Sequence, residues 1–299
     1  MKTYLDCIPC FFKQAIEACR MTGLSSDKTK SVLDNVALHL PEIEMTSSPP
    51  ETAAVIHRII REQTQNPDPY RELKRRSNEI SAKVYPDLKQ LVQNSENRLL
   101  KAVEIAIAGN IIDYGALFDL DLHKEISVLL ESEEEKIKNE NSKYFCYIDF
   151  LTALKDSKTL LYLADNAGEI FFDKILLEEI RAAYPRIKIY FAVRGFPVIN
   201  DCTGADADTA DMDRLATVIE NGSDAPGTIF SACSKEFMKI WAQCDLIISK
   251  GQGNFESLSG TNGNIFFLFI AKCRVLAHDI GCGIRDVILY KNIPRTIPG

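Results

Sequence analysis

LYLADNAGE, residues 161–169, running on into IFFDKILLEEIRAAYP, residues 170–185, is the stretch that decides the fold. The apolar run TLLYLA before the first acid has the length and branching of a buried strand. It stops at a carboxylate and an amide, Asp165 and Asn166; Ala167 and Gly168 make a turn, and Glu169 opens a stretch with helical spacing. A strand that ends in polar residues and turns straight into a helix is the repeating unit of parallel α/β sheets.

Downstream the pattern recurs. IKIYFAVRG, LIISKG, NIFFLFIA, RVLAHD and DVILY are short branched or aromatic runs set between helical stretches, and they predict a mainly parallel α/β sheet. Upstream, from Cys10 to about Leu130, the periodicity is helical: CFFKQAIEACRMTG, KTKSVLDNVALHL, PPETAAVIHRIIREQT, PYRELKRRSNEISAKVYPDLKQLVQ and NRLLKAVEIAIAGNIIDYG. Ser47, Ser48, Pro49 and Pro50 supply a helix start, and Gly23 and Gly115 supply stops. The charged segment ESEEEKIKNENSK reads as a solvated connector. The expected organisation is a helical domain at 1–140 followed by an α/β domain at 141–299.

The 299 residues are 46% hydrophobic and 26% charged, the balance of a globular protein with a substantial core. The net charge of −7 argues against bulk attraction to nucleic acid or anionic membrane. The opening MKTYLDCIPC has no long apolar core, and no later run approaches a membrane span. Nine cysteines is an odd number, and Cys146, Cys233, Cys244 and Cys273 sit singly in apolar segments, as reduced thiols do. A cytoplasmic protein without nucleic-acid or membrane partners is expected.

In open α/β sheets ligands bind beyond the carboxyl ends of strands. Three such ends carry polar residues: Asp165 and Asn166; Arg194 and Gly195, followed by Asp201; and Lys250, Gly251, Gln252, Gly253 and Asn254. Two carboxylates and an amide oxygen are hard ligands for a divalent ion, while Arg194, Lys250 and the N–H groups around Gly251 and Gly253 suit phosphate. Each element also has a plainer reading. Asp165 and Asn166 could cap a helix, Asp201 could form an Asx-turn, and KGQGN could be a glycine-rich loop. No spaced Gly-Lys-Ser/Thr loop and no GxGxxG after the first strand is present.

DNAGE at 165–169, RGFPVIND at 194–201, KGQGNFE at 250–256, AIAGNIID at 106–113 and NPDPY at 66–70 together resemble the DUF89 family of ARMT1-like damage-control phosphatases. The amino-terminal CIPC, Cys7 and Cys10, resembles the family's prokaryotic branch. The resemblance implies a helical amino-terminal domain on a Rossmann-like α/β domain. It also implies a divalent-metal-dependent phosphatase of small phosphorylated metabolites, with one Mn²⁺, Ni²⁺, Co²⁺ or Mg²⁺. Carried over by position, the metal ligands are Asp165, Asn166 and Asp201, and the phosphate-contacting lysine is Lys250. KGQGN stands where eukaryotic members have a KGDLN-type loop, and their RTxK motif has no equivalent here.

Asp165, Asp201 and Lys250 are therefore the expected catalytic groups, either carboxylate serving as nucleophile or activating water. Arg194, Lys250, Gly251, Gly253 and Asn254 are expected at the substrate. Asn110 and Asp113, three apart on a helix, are placed to reach the same crevice. Cys7 and Cys10 suit packing, a second metal or redox use, and their separation in sequence from Asp165 sets them apart from the phosphatase step. The competing readings are a non-catalytic metal or nucleotide-binding module and a methyltransferase, whose glycine-rich cofactor loop is not visible.

Overall fold

The structure, a computed structural model, describes residues 1–111 and 141–292. Asp113, and the boundary expected at 140, lie outside them. Five helices open the chain: α1 (Cys7–Met21), α2 (Ser26–His39), α3 (Pro49–Thr64), α4 (Arg71–Gln93) and α5 (Arg98–Ala108). Their starts follow the local chemistry. The Ser25 side chain accepts the Lys28 N–H ahead of α2, and Ser48 and Glu51 cap each other reciprocally where Pro49 and Pro50 begin α3. No described helix is long and apolar enough to cross a membrane.

The remainder alternates strands and helices: β1 (Asn141–Ser142), β2 (Phe145–Cys146), α6 (Tyr147–Asp156), β3 (Thr159–Leu163), α7 (Glu169–Ala183), β4 (Lys188–Val193), α8 (Gly204–Thr209), β5 (Thr217–Glu220), α9 (Lys235–Gln243), β6 (Leu246–Lys250), α10 (Gln252–Leu258), β7 (Ile265–Ile270), α11 (Arg274–Ile280) and β8 (Val287–Lys291). The sheet order is β1-β2-β8-β7-β6-β3-β4-β5. Pairing is parallel from β5 through β7, and β8 runs antiparallel to β7. The fold is thus the expected α/β class, helical first and Rossmann-like after.

Two readings of single elements change. RVLAHD lies in α11, because Leu276, Ala277 and Ile280 bury one helical face, Cys273 caps the start through Leu276 N–H, and Gly281 ends it in the left-handed region. β5 was not foreseen: TVIE is only four residues long and partly exposed, so it has little apolar signal.

Both sheet faces are covered. Leu160, Tyr162, Phe191, Leu246 and Ile248 pack under α4, α5 and α7; Leu161, Leu163, Ile247 and Phe267 pack against Phe237, Phe255 and Leu276 of α9, α10 and α11. Helices α1, α2 and α3 have a core of their own built on Phe11, Val32, Val36, Ile56 and Ile60. So α4 and α5 join the sheet's core, although their sequence reads like that of the helices before them.

Candidate metal and phosphate site

The strand order reverses at β3. The chain leaves it toward β4 and β5, then returns to β6 on the other side, which opens a crevice at the carboxyl ends of β3 and β6. Asp165 and Asn166 stand there. The loop after β4 folds back onto them: Ala167 N–H donates to Asn200 O at 2.9 Å, and Cys202 N–H to Asp165 O at 2.8 Å. These bonds make a bridge between Asn166 and Asp201, so the two strand-end motifs meet side by side. Ile199, in the same loop, takes φ 44°, a costly value for a β-branched residue.

Asn110, Asp165, Asn166 and Asp201 line one cavity of about 510 Å³. Its opposite wall comes from the helical region: Cys7, Cys10, Phe11, Pro49 and Pro50 on α1 and α3, with Gln252, Gly253, Glu256 and Cys273 completing it. Cys7 and Cys10 therefore border the same cavity as Asp165, and the separation expected from sequence distance is corrected. Arg61 of α3 holds the helical wall in place by donating to Pro197 O and pairing with Asp224. Burial raises the Cys7 thiol above its ordinary pKa, as it does Cys273.

A second layer lies beneath the cavity. Lys250 is fully buried, and its ammonium donates to Ala106 O at 2.7 Å, Glu169 Oε2 at 3.1 Å and Asp173 Oδ1 at 2.7 Å. Burial alone would lower its pKa, but Asp173 and Glu169 overrule it and hold the ammonium above its ordinary value. Asp173 also accepts from Tyr162 Oη at 2.7 Å. Burial pushes the Asp173 carboxyl up to about 6 despite Lys250, because two carboxylates share one cation.

Several expected substrate contacts belong to this layer. All three Lys250 N–H donors are taken, and it does not border the cavity. Arg194, 3% exposed, donates through Nε to Asp201 Oδ2 at 2.6 Å and through Nη2 to Asn254 Oδ1 at 3.3 Å. Asn254 also accepts from Thr228 and donates to Lys250 O and Ala164 O, which ties the ends of β3 and β6 together. Gly251 spends its N–H on Leu268 O. It has φ +81°, and a Cβ there would lie 2.1 Å from the Asp165 carboxylate, so the position is held for close approach. Of the predicted loop contacts, Gly253 borders the cavity.

Glu169 and Asp173 were missed as site residues. The available signal was two acids at i and i+4 on EIFFDKILLEEI, the second preceded by IFF and followed, after Lys174, by ILL. Glu256, 8% exposed, was missed as well; burial raises its carboxyl to about 7.

The donor set fits a hard divalent cation. Asp165, Asn166 and Asp201 bring oxygens to one wall, and Asn110 Oδ1 is a buried acceptor without a hydrogen-bond partner among the described residues. Bound there, such an ion would draw on these four side chains.

Residues 3–288 match the family model described as the damage-control phosphatase ARMT1-like domain. A protein of Pyrococcus horikoshii named damage-control phosphatase is 32% identical, over 94% of this chain and 94% of its own length. One of Archaeoglobus fulgidus with the same name is 36% identical, over 79% and 80%. An uncharacterised protein of Methanocaldococcus jannaschii is 34% identical, over 96% and 94%. The crystal structure of a DUF89 family protein from P. horikoshii superposes with a TM-score of 0.85 at 30% identity, covering 98% of this chain and all of the other.

Proposed function

This chain belongs to the damage-control phosphatase ARMT1-like family, and from that membership and the cavity's chemistry we propose that it hydrolyses small phosphorylated metabolites with the help of one divalent cation. The observation that carries the reading is the meeting of Asp165, Asn166 and Asp201 on one wall of a single cavity, although Asp201 arrives on a different strand end. The cation, Mn²⁺, Ni²⁺, Co²⁺ or Mg²⁺, would supply Lewis-acid stabilisation of phosphoryl oxygens.

The protein's own part is positioning. Arg194 holds the Asp201 carboxylate from behind, in a buried ion pair through Nε and Oδ2, while Asp201 lines the cavity. Lys250 balances the charge of Glu169 and Asp173 under the floor, a structural role in place of direct phosphate contact. A cavity of about 510 Å³ matches a small metabolite, and Phe11, Pro49 and Pro50 give it an apolar stretch of lining.

The test is phosphate release from p-nitrophenyl phosphate and a panel of phosphometabolites, with chelator and then each of the four ions. Release that needs added metal supports the proposal. Saturable phosphoester binding without turnover under any ion would favour the non-catalytic module, and saturable S-adenosylmethionine binding the methyltransferase.

A further inference from the structure

The Glu169 carboxylate is fully buried one turn below the cavity, yet it touches both amides that border it. Its Oε1 accepts from Asn166 Nδ2 at 2.9 Å and from Asn110 Nδ2, while Oε2 faces Lys250 Nζ at 3.1 Å. The second N–H of each amide goes to Asp165 Oδ2, at 3.0 Å from Asn166 and 3.3 Å from Asn110. An ionised carboxylate only accepts, so two carboxylates facing two amides leave one orientation open to each: nitrogen toward the acids, Oδ1 away from them. Asn110 Oδ1 is the visible result, a buried acceptor without a hydrogen-bond partner among the described residues.

We propose that Glu169 is a positioning residue for the cation site: it locks Asn110 and Asn166 so that both present amide oxygen, and Asn110 thereby becomes an oxygen donor to the cation alongside Asp165, Asn166 and Asp201. This rests on the metal-dependent reading above. It joins the two parts of the chain in one site, since Asn110 follows α5 in the helical region and Glu169 opens α7. Lys250 has a task in the arrangement: it takes Glu169 Oε2, which leaves Oε1 for the amides.

Glu169→Gln separates the alternatives. A glutamine must give its single oxygen to the Lys250 ammonium, which leaves its NH₂ against the two asparagines. They must rotate, and N–H then replaces oxygen at the site. Mn²⁺ binding to the metal-free protein, followed by electron paramagnetic resonance and calorimetry, is expected to weaken at least about tenfold, in line with losses from groups that orient metal ligands. The double variant Glu169→Gln with Asn110→Ala should bind little worse than Glu169→Gln alone, because the two act through one contact. If Glu169→Gln does not fold, Asn110→Ala alone, which leaves Lys250, Glu169 and Asp173 together, is expected to weaken Mn²⁺ binding by about as much, and unchanged affinity there overturns Asn110 as a donor. Unchanged Mn²⁺ affinity in a folded Glu169 variant, or additive losses in the double, overturns the positioning role alone. Failure of the wild-type protein to bind any of the four ions overturns the metal reading and the inference with it.

Discussion

β3 and β6 are neighbours in the sheet and end alike, each an apolar run that meets a polar residue and a glycine-containing turn, yet they use those residues in opposite ways. Leu163 pairs with Ser249, so Asp165, two residues on, stands level with Gly251. At β3 the polar residues come after the strand and face the cavity. At β6 the lysine is the strand's last residue, on the face shared with Leu246 and Ile248, where α5 and α7 cover it. The glycine that follows then yields its side-chain space to the Asp165 carboxylate. A charge in a strand-end motif takes its role from which side of the last pleat it falls on.

The contrast breaks most directly at the β3 side. Asp165→Ala and Asp201→Ala should each fold and lose about a thousandfold or more in metal-dependent kcat/KM, the size of effect expected for groups that act on developing charge. Near-normal turnover in both, with metal still bound, would remove the cavity-facing layer from the chemistry.

On the β6 side the larger effect should be on stability. Lys250→Met leaves Glu169 and Asp173 buried without their cation, and breaking such a pair costs roughly 3–5 kcal/mol. Denaturant unfolding checks this. A fully stable Lys250→Met protein that binds phosphate more weakly would mean that the ammonium reaches the substrate after all, and the two strand ends would be alike.

A smaller effect sharpens the picture, because α10 returns one acid from the β6 side to the cavity. Glu256 has a folded pKa of about 7, raised by burial from 4.5. The folded state therefore favours its proton, and stability is lost as pH rises from the unfolded value through about 7. Glu256→Gln keeps the neutral form at every pH. Its melting temperature should match wild type near about pH 5 and exceed it by several degrees near about pH 8. A difference that does not vary with pH would place Glu256 in water.

The sequence alone determined the class of fold, because hydrophobic periodicity is a local property: TLLYLA, LIISK and IFFLFI can bury both faces only as central strands, and the spacing of EIFFDKILLEEI suits only a helix. It also marked DNAGE and the acid of RGFPVIND as strand-end residues, and the family resemblance, not their spacing, singled them out as the expected metal ligands. Tertiary structure alone decided which charges face the cavity. Lys250, Arg194 and Asn254 sit in motifs that read as phosphate contacts, but strand parity and the helices packed above them turn these side chains inward. The same holds for CIPC, distant from Asp165 in the chain and across one cavity from it in the fold. Local pattern sets a segment's shape; which side chains end up together depends on contacts between residues far apart in sequence, and those are made only when α1, α3 and α5 close over the sheet.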